Sequence, residues 1–334
     1  MNLTPRHPLP GHLGPENGDS SLDTLAVVLD EPGHLTVRPL TLVPPGEGDV
    51  VVEVLWTGVS TGTERLLWNG QMPPFPGLGY PLVPGYEAVG TVTMAGPSSG
   101  RRVGERVFVP GSTGFREARG LFGGSASRLV VPGVRALPVD ESIDEAACLL
   151  ALAATAYHAL CPAPGAPLPE LIVGHGALGR LLARICIALG GDVPTVWEVD
   201  PVRSGGAAGY EVIHPESDSR RDYGVICDVS GRTDLVDDLL GRLGRGGELV
   251  LAGFYDRISF DFPGAFLKEI RMRVAAEWSP PDLHATAALV SGGALSLDGL
   301  ITHHAPAGSA LTAYGTAFND PACVKMILDW RREA

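Results

Sequence analysis

Residues 171–191 read LIVGHGALGRLLARICIALGG, and the fold turns on this run. An apolar triplet leads straight into Gly174, Gly176 and Gly179, in the order G-x-G-x-x-G, and then into a segment with helical apolar spacing. Each glycine meets a physical need. The first permits a tight strand-to-helix turn, the second lets the backbone approach a pyrophosphate, and the third lets the helix pack close to the sheet. The helix N-terminus then faces the phosphates. A lone pattern of this kind is weak, but here a strand precedes it, a helix follows, and a second strand ending in acid, PTVWEVD (194–200), comes next. Asp200, 21 residues beyond Gly179, is the expected acceptor for the adenosine ribose hydroxyls, with Glu198 the rival if the strand ends earlier. Either carboxylate repels a 2′-phosphate, so NAD is expected over NADP; Arg203 alone leans the other way.

Outward from this run, short apolar segments such as YGVICDVSG (223–231) and GGELVLAGFY (246–255) alternate with helical ones, the signature of a parallel sheet with crossover helices. Upstream, ESIDEAACLLALAATAYHAL (141–160) is expected to be helix with an acidic first turn. From 23 to about 135 the texture is different: TLAVVL, DVVVEVLW, AVGTVTMAG, ERVFVP and ASRLVVP are short strands punctuated by Gly and Pro. Met72–Pro84 carries five prolines and two glycines, so a stiffened loop is expected there. The expected organisation is a disordered leader over 1–22, a β-rich domain from 23, and an alternating nucleotide-binding domain that ends near 278.

At 334 residues, with 45% apolar and 19% charged residues, the chain has material for two folded cores. A net charge of −13 argues against nucleic acid as a partner. Five cysteines with no CxxC, and no secretory pattern, fit a cytoplasmic protein. No run of 18 uninterrupted apolar residues occurs, so no transmembrane segment is expected.

The runs VEVLWTGVSTGTERLLWNG (52–70), PGYEAVG (84–90), VGERVFVPG (103–111) and VGHGALG (173–179), in that order, resemble the medium-chain dehydrogenase/reductases over about 23–334. The resemblance implies an α/β protein: a GroES-like β-rich catalytic domain from 23–140 and 279–334, plus an inserted Rossmann domain over 141–278 with a doubly wound parallel sheet. It also implies hydride transfer with NAD, and a homodimer joined through the sheet edge near 247–278. Within the family, STGTERLLWNG, MPPFPGLGYPLVPGYE, GLFGGSASRLVVPG and VAAEW are similar to members that act on a tetrapyrrole. That likeness implies oxidation of a chlorin 1-hydroxyethyl group to acetyl.

Departures from the zinc-dependent members are informative. Ser60 or Thr61 stands where a thiolate ligand is expected, Tyr86 replaces the imidazole of a Gly-His-Glu run, and residues 111–124 contain no cysteine. Hydroxyls and phenols are poor zinc ligands, so no metal is expected. The alcohol proton must then be guided by hydrogen-bonding groups. Thr63 matches the family's relay hydroxyl, Tyr86 and Ser60 lie at former ligand positions, and Glu87 would orient Tyr86. Thr155 matches the position beside the nicotinamide. His158 is the one nearby histidine that could act as a base, although a plain helix residue fits it better, and His175 would touch phosphate or solvent. Trp56, Trp68, Phe75, Phe115 and Phe122 are candidates for an apolar slot, with Arg65, Arg116 or Arg119 meeting a substrate carboxylate. Two other readings compete: a zinc-free enone or quinone reductase using NADPH, and a non-catalytic NAD-binding regulator.

Overall fold

A computed structural model describes residues 22–331, apart from 162 and 164. The expected leader, except for Leu22, lies outside the described residues. Six strands form a parallel sheet in the order Glu211–Ile213, Thr195–Trp197, Leu171–Val173, Tyr223–Asp228, Leu243–Leu251, Arg271–Val274. Ile172 and Ile226 have no exposed surface, as strands covered on both faces require. The chain winds outward in opposite directions from Leu171–Val173, and a crevice opens beyond the strand ends where the direction reverses.

The rest of the chain builds a β-rich body of a four-stranded and a seven-stranded sheet. Its long strand, Asp49–Val59, pairs antiparallel with Ala88–Ala95, Arg128–Pro132 and Met326–Asp329. The last strand is locked in by burial of Ile327, Leu328 and Trp330, and by the Trp330 indole N–H donating to Thr57 Oγ1 at 2.9 Å.

Two segments differ from expectation. The return to the β-rich body comes later than 279. Helix Pro280–Ser291 stays beside helix Leu150–Leu160, tied by His158 Nδ1 and Asp282 Oδ2 at 2.9 Å, and Leu295, Leu297 and Leu300 join the core around Ile172 and Leu181. The first strand back is His303–Pro306. The expected helix over 141–160 is a 3-10 segment, Glu141–Leu149, followed by an α-helix, Leu150–Leu160. Among the described residues this is the one stretch long and apolar enough to cross a membrane, and it is a core element: Leu149, Leu150, Ala153 and Ala154 are wholly buried.

Candidate active site

A cleft of about 1230 Å³ lies between the C-terminal ends of the parallel strands and the β-rich body. The glycine turn forms one wall. Gly174 has φ +107°, where a side chain is strained, and a Cβ on Gly179 would fall 1.9 Å from the Gly174 carbonyl oxygen. A Cβ on Gly176 would meet nothing within 4 Å, so this residue leaves open space on the cleft at the start of the 12-residue helix Ala177–Ala188. Space, helix N-terminus and glycines together fit a dinucleotide pyrophosphate.

The second strand ends at Trp197, so Glu198, the rival carboxylate, is the first residue beyond it. Glu198 lines the cleft, and its Oε2 accepts the His175 backbone N–H at 3.1 Å. Asp200 is not among the lining residues. Its Oδ1 accepts the Val202 N–H at 2.9 Å and shapes the following turn. His175 does not face a phosphate. Its ring is wholly buried, with Nδ1–H donating to the Arg203 carbonyl at 2.7 Å and Nε2 accepting from the Tyr210 hydroxyl at 2.8 Å. Burial lowers its pKa. Arg180 reinforces the same loop by donating to the carbonyls of His175, Arg203, Gly205 and Gly206. Thr155 lines the cleft, but its hydroxyl donates to Ala151 O within its own helix at 3.0 Å.

On the opposite wall, Ser60 Oγ and the Tyr86 hydroxyl are 2.6 Å apart, and Thr63 lines the cleft beside them. The Thr63 side chain does not cap the helix Thr63–Trp68 that it begins, and it lies near enough to the Tyr86 phenol to draw its pKa down. Burial, then the Glu87 charge, push the phenol pKa up, so Tyr86 is a neutral O–H at working pH.

Glu87 is not among the lining residues. Both its oxygens are held by the Lys325 ammonium, at 2.8 and 2.7 Å, in a fully buried pair, and Lys325 is the member that borders the cleft. Beneath Ser60, the buried Glu64 carboxylate accepts the Ser60 N–H at 2.9 Å and the Tyr314 hydroxyl. Burial raises the Glu64 pKa to about 7, against the pull of those two donors.

His158 does not line the cleft. Of the expected aromatics Phe75 and Phe122 do, whereas Trp56 and Phe115 are core residues and Trp68 packs on Phe318. Arg65, Arg116 and Arg119 are likewise not among the lining residues; Arg135, Arg203 and Arg232 are. Lys325 and Tyr314 were not singled out from the sequence. One signal pointed to Lys325: it is one of only two lysines in an arginine-rich chain.

Zinc chemistry does not fit this donor set. Among the described residues no three His, Cys, Asp or Glu side chains gather into a ligand group, and the former ligand positions carry hydroxyls.

Comparison with known proteins agrees with this architecture. Residues 46–141 match the alcohol dehydrogenase GroES-like domain. The chain is 56% identical over 312 residues to the 2-desacetyl-2-hydroxyethyl bacteriochlorophyllide A dehydrogenase of Rhodobacter capsulatus, covering 93% of this chain and 99% of that protein. It is also 56% identical to the protein of the same name from Cereibacter sphaeroides, with the same coverage. Among solved structures, L-idonate 5-dehydrogenase from Escherichia coli shares the fold at TM-score 0.81 and 19% identity, over 92% of this chain and 99% of that one. An alcohol dehydrogenase from E. coli CFT073, complexed with NADH, does so at TM-score 0.79 and 19% identity, with the same coverage. The chain belongs to the medium-chain dehydrogenase/reductase family, in the group of the 2-desacetyl-2-hydroxyethyl bacteriochlorophyllide A dehydrogenases. The α/β architecture of a GroES-like domain plus a Rossmann sheet is that of this family.

Proposed function

We propose that the chain oxidises the hydroxyethyl group of a bacteriochlorophyllide to acetyl, with NAD in the glycine-turn half of the cleft. The carrying observation is the Ser60–Tyr86 hydroxyl pair, 2.6 Å apart on the wall opposite the glycine turn. When bound, the nicotinamide supplies the hydride acceptor for the carbinol carbon. The chain's own residues must then handle one proton. The Tyr86 oxygen takes the alcohol proton as its own proton passes to Ser60, whose hydroxyl gives up its proton in turn to water in the open cleft, with Thr63 beside them. Because the phenol stays neutral, Tyr86 is a relay rather than a standing base. Glu87 acts at one remove: it fixes Lys325, which places a positive charge beside the site where alkoxide character develops.

Glu198 supports NAD over NADP. Its carboxylate lines the cleft just past the second strand, the position from which an acidic residue accepts ribose hydroxyls in this fold and repels a 2′-phosphate. A homodimer is supported by the open edge strand Arg271–Val274, whose Met272 and Val274 are exposed, and by the exposed Phe262, Phe266 and Leu267 of the helix before it. Five free thiols are in keeping with a cytoplasmic setting.

The test is turnover of the hydroxyethyl chlorin with NAD or NADP, reading the acetyl product and the reduced cofactor, before and after a strong chelator. Activity is expected with NAD and unaffected by chelation. Faster turnover with NADP at equal low concentration overturns the cofactor reading. One zinc per chain, with activity lost on its removal, overturns the hydroxyl relay.

A further inference from the structure

One imidazole in the cleft has no part in the relay. His284 sits on the helix Pro280–Ser291 and lines the cleft with Leu283 and Trp278, while Phe75 and Phe122 belong to the same lining. Its ring has no hydrogen bond or ion pair among the described residues. The two other histidines nearby are engaged: His175 through both ring nitrogens, and His158 through Asp282. His284 is exposed on the cleft wall and offers an uncommitted nitrogen lone pair there.

A single imidazole cannot hold a free divalent cation, and no cluster of three ligating side chains exists among the described residues to help it. It can, however, complete the coordination of a metal that already has its in-plane ligands. A bacteriochlorophyllide carries such a metal. Its magnesium is held by four macrocycle nitrogens and has an axial position open to one more donor. Free magnesium prefers oxygen ligands and keeps its water. An imidazole already carried on a helix loses little freedom on ligation, and a macrocycle seated over it keeps water from that face.

We propose that His284 is the axial ligand of the substrate's central magnesium. The inference rests on the chlorin reading above and deepens it. Ligation from one face fixes the plane and depth of the macrocycle, so that the hydroxyethyl group is presented to Tyr86. It also makes the enzyme selective for the magnesium chelate over the same macrocycle without metal. No bond in the reacting group is made or broken by His284, which is a positioning and specificity residue.

The test uses the full chain with NAD and two ligands, the magnesium hydroxyethyl chlorin and its metal-free counterpart. Binding is read from the visible absorption of the chlorin, which responds to axial ligand exchange, and turnover is read separately. The wild type is expected to bind the magnesium form at least about tenfold more tightly than the metal-free form. His284→Ala is expected to abolish that preference by weakening the magnesium form alone. In His284→Gly, added imidazole should restore both the absorption shift and the preference. Equal binding of the two ligands by the wild type overturns the proposal, as does an equal loss for both in His284→Ala, which marks a packing role. A shifted pH profile of kcat with selectivity intact also overturns it, and marks a proton-transfer role instead. If the wild type binds and oxidises neither chlorin, the failure lies in the substrate reading beneath.

Discussion

Glu87 and Lys325, 238 residues apart in the chain, close a buried ion pair in which one ammonium contacts both carboxylate oxygens, at 2.8 and 2.7 Å. Neither side chain exceeds 2% exposure. The pair joins the segment after Tyr86 to the last strand of the β-rich body and brings Lys325 to the cleft.

Removing one member strands the other charge out of water. Lys325→Met should therefore cost about 3–5 kcal/mol of stability. The double variant Lys325→Met/Glu87→Gln should recover a large part of that loss without recovering activity. Urea unfolding of the two variants checks this; a double variant as unstable as the single one would show that the charge pair is not what holds these segments.

Proton passage through Tyr86 gives a kinetic expectation. Tyr86→Phe removes the central hydroxyl and should lower kcat by about 10²-fold or more, with a smaller change in KM, because the lost hydrogen bond matters most as the alkoxide forms. Ser60→Ala should fall less and Thr63→Val less again, since the phenol hydrogen-bonds Ser60 while Thr63 only lies near it. Steady-state kinetics with NAD saturating distinguishes this from a binding defect, in which KM would carry the loss.

The two carboxylates after the second strand should behave differently. Glu198→Ala should weaken NAD about tenfold and relax discrimination against NADP, the size of a lost hydrogen bond to a charged group. Asp200→Ala should do much less, because its carboxylate serves the turn at Val202. Calorimetric titration with both cofactors decides; a larger effect at Asp200 would return the ribose contact to that residue.

Glu64 makes stability depend on pH. Its carboxyl is raised from 4.5 to about 7 in the folded protein, so between those values the folded state holds a proton that the unfolded state has released. This contribution is fully present below about pH 4.5, falls as pH rises through about 7, and amounts to about 3 kcal/mol. Glu64→Gln should flatten that slope, so the difference in urea midpoint between wild type and variant should change from about pH 5 to pH 8. A constant difference would mean that Glu64 titrates normally.

Much of the architecture was legible because it is written locally. The glycine spacing at 174–179 and the apolar strands on either side state their own geometry, and the hydroxyls at Ser60, Thr63 and Tyr86 stand out against an expected ligand pattern. The strand end at Trp197 was harder, since Glu198 and Asp200 are both acidic and two residues apart, and only the folded loop shows that Glu198 borders the cleft while Asp200 turns to the Val202 N–H. Lys325 was out of reach. Its role exists only once the last strand lies beside Asp49–Val59, and no local pattern encodes a partner so distant in sequence. The partner of Glu87 was out of reach for the same reason, because its neighbours in sequence say nothing of the ammonium that holds it.

The pairing of Met326–Asp329 with Asp49–Val59, sealed by Trp330 on Thr57 across 273 residues, has a consequence for synthesis on the ribosome. The parallel sheet lies wholly between these partners in the chain and can form once its own strands have emerged. The β-rich sheet must wait with an open edge beside its longest strand until translation reaches residue 330. Catalytic competence therefore arrives last, with the segment that carries Lys325. A nascent chain stalled before that point would bind nucleotide while its exposed strand edge made it a client for chaperones.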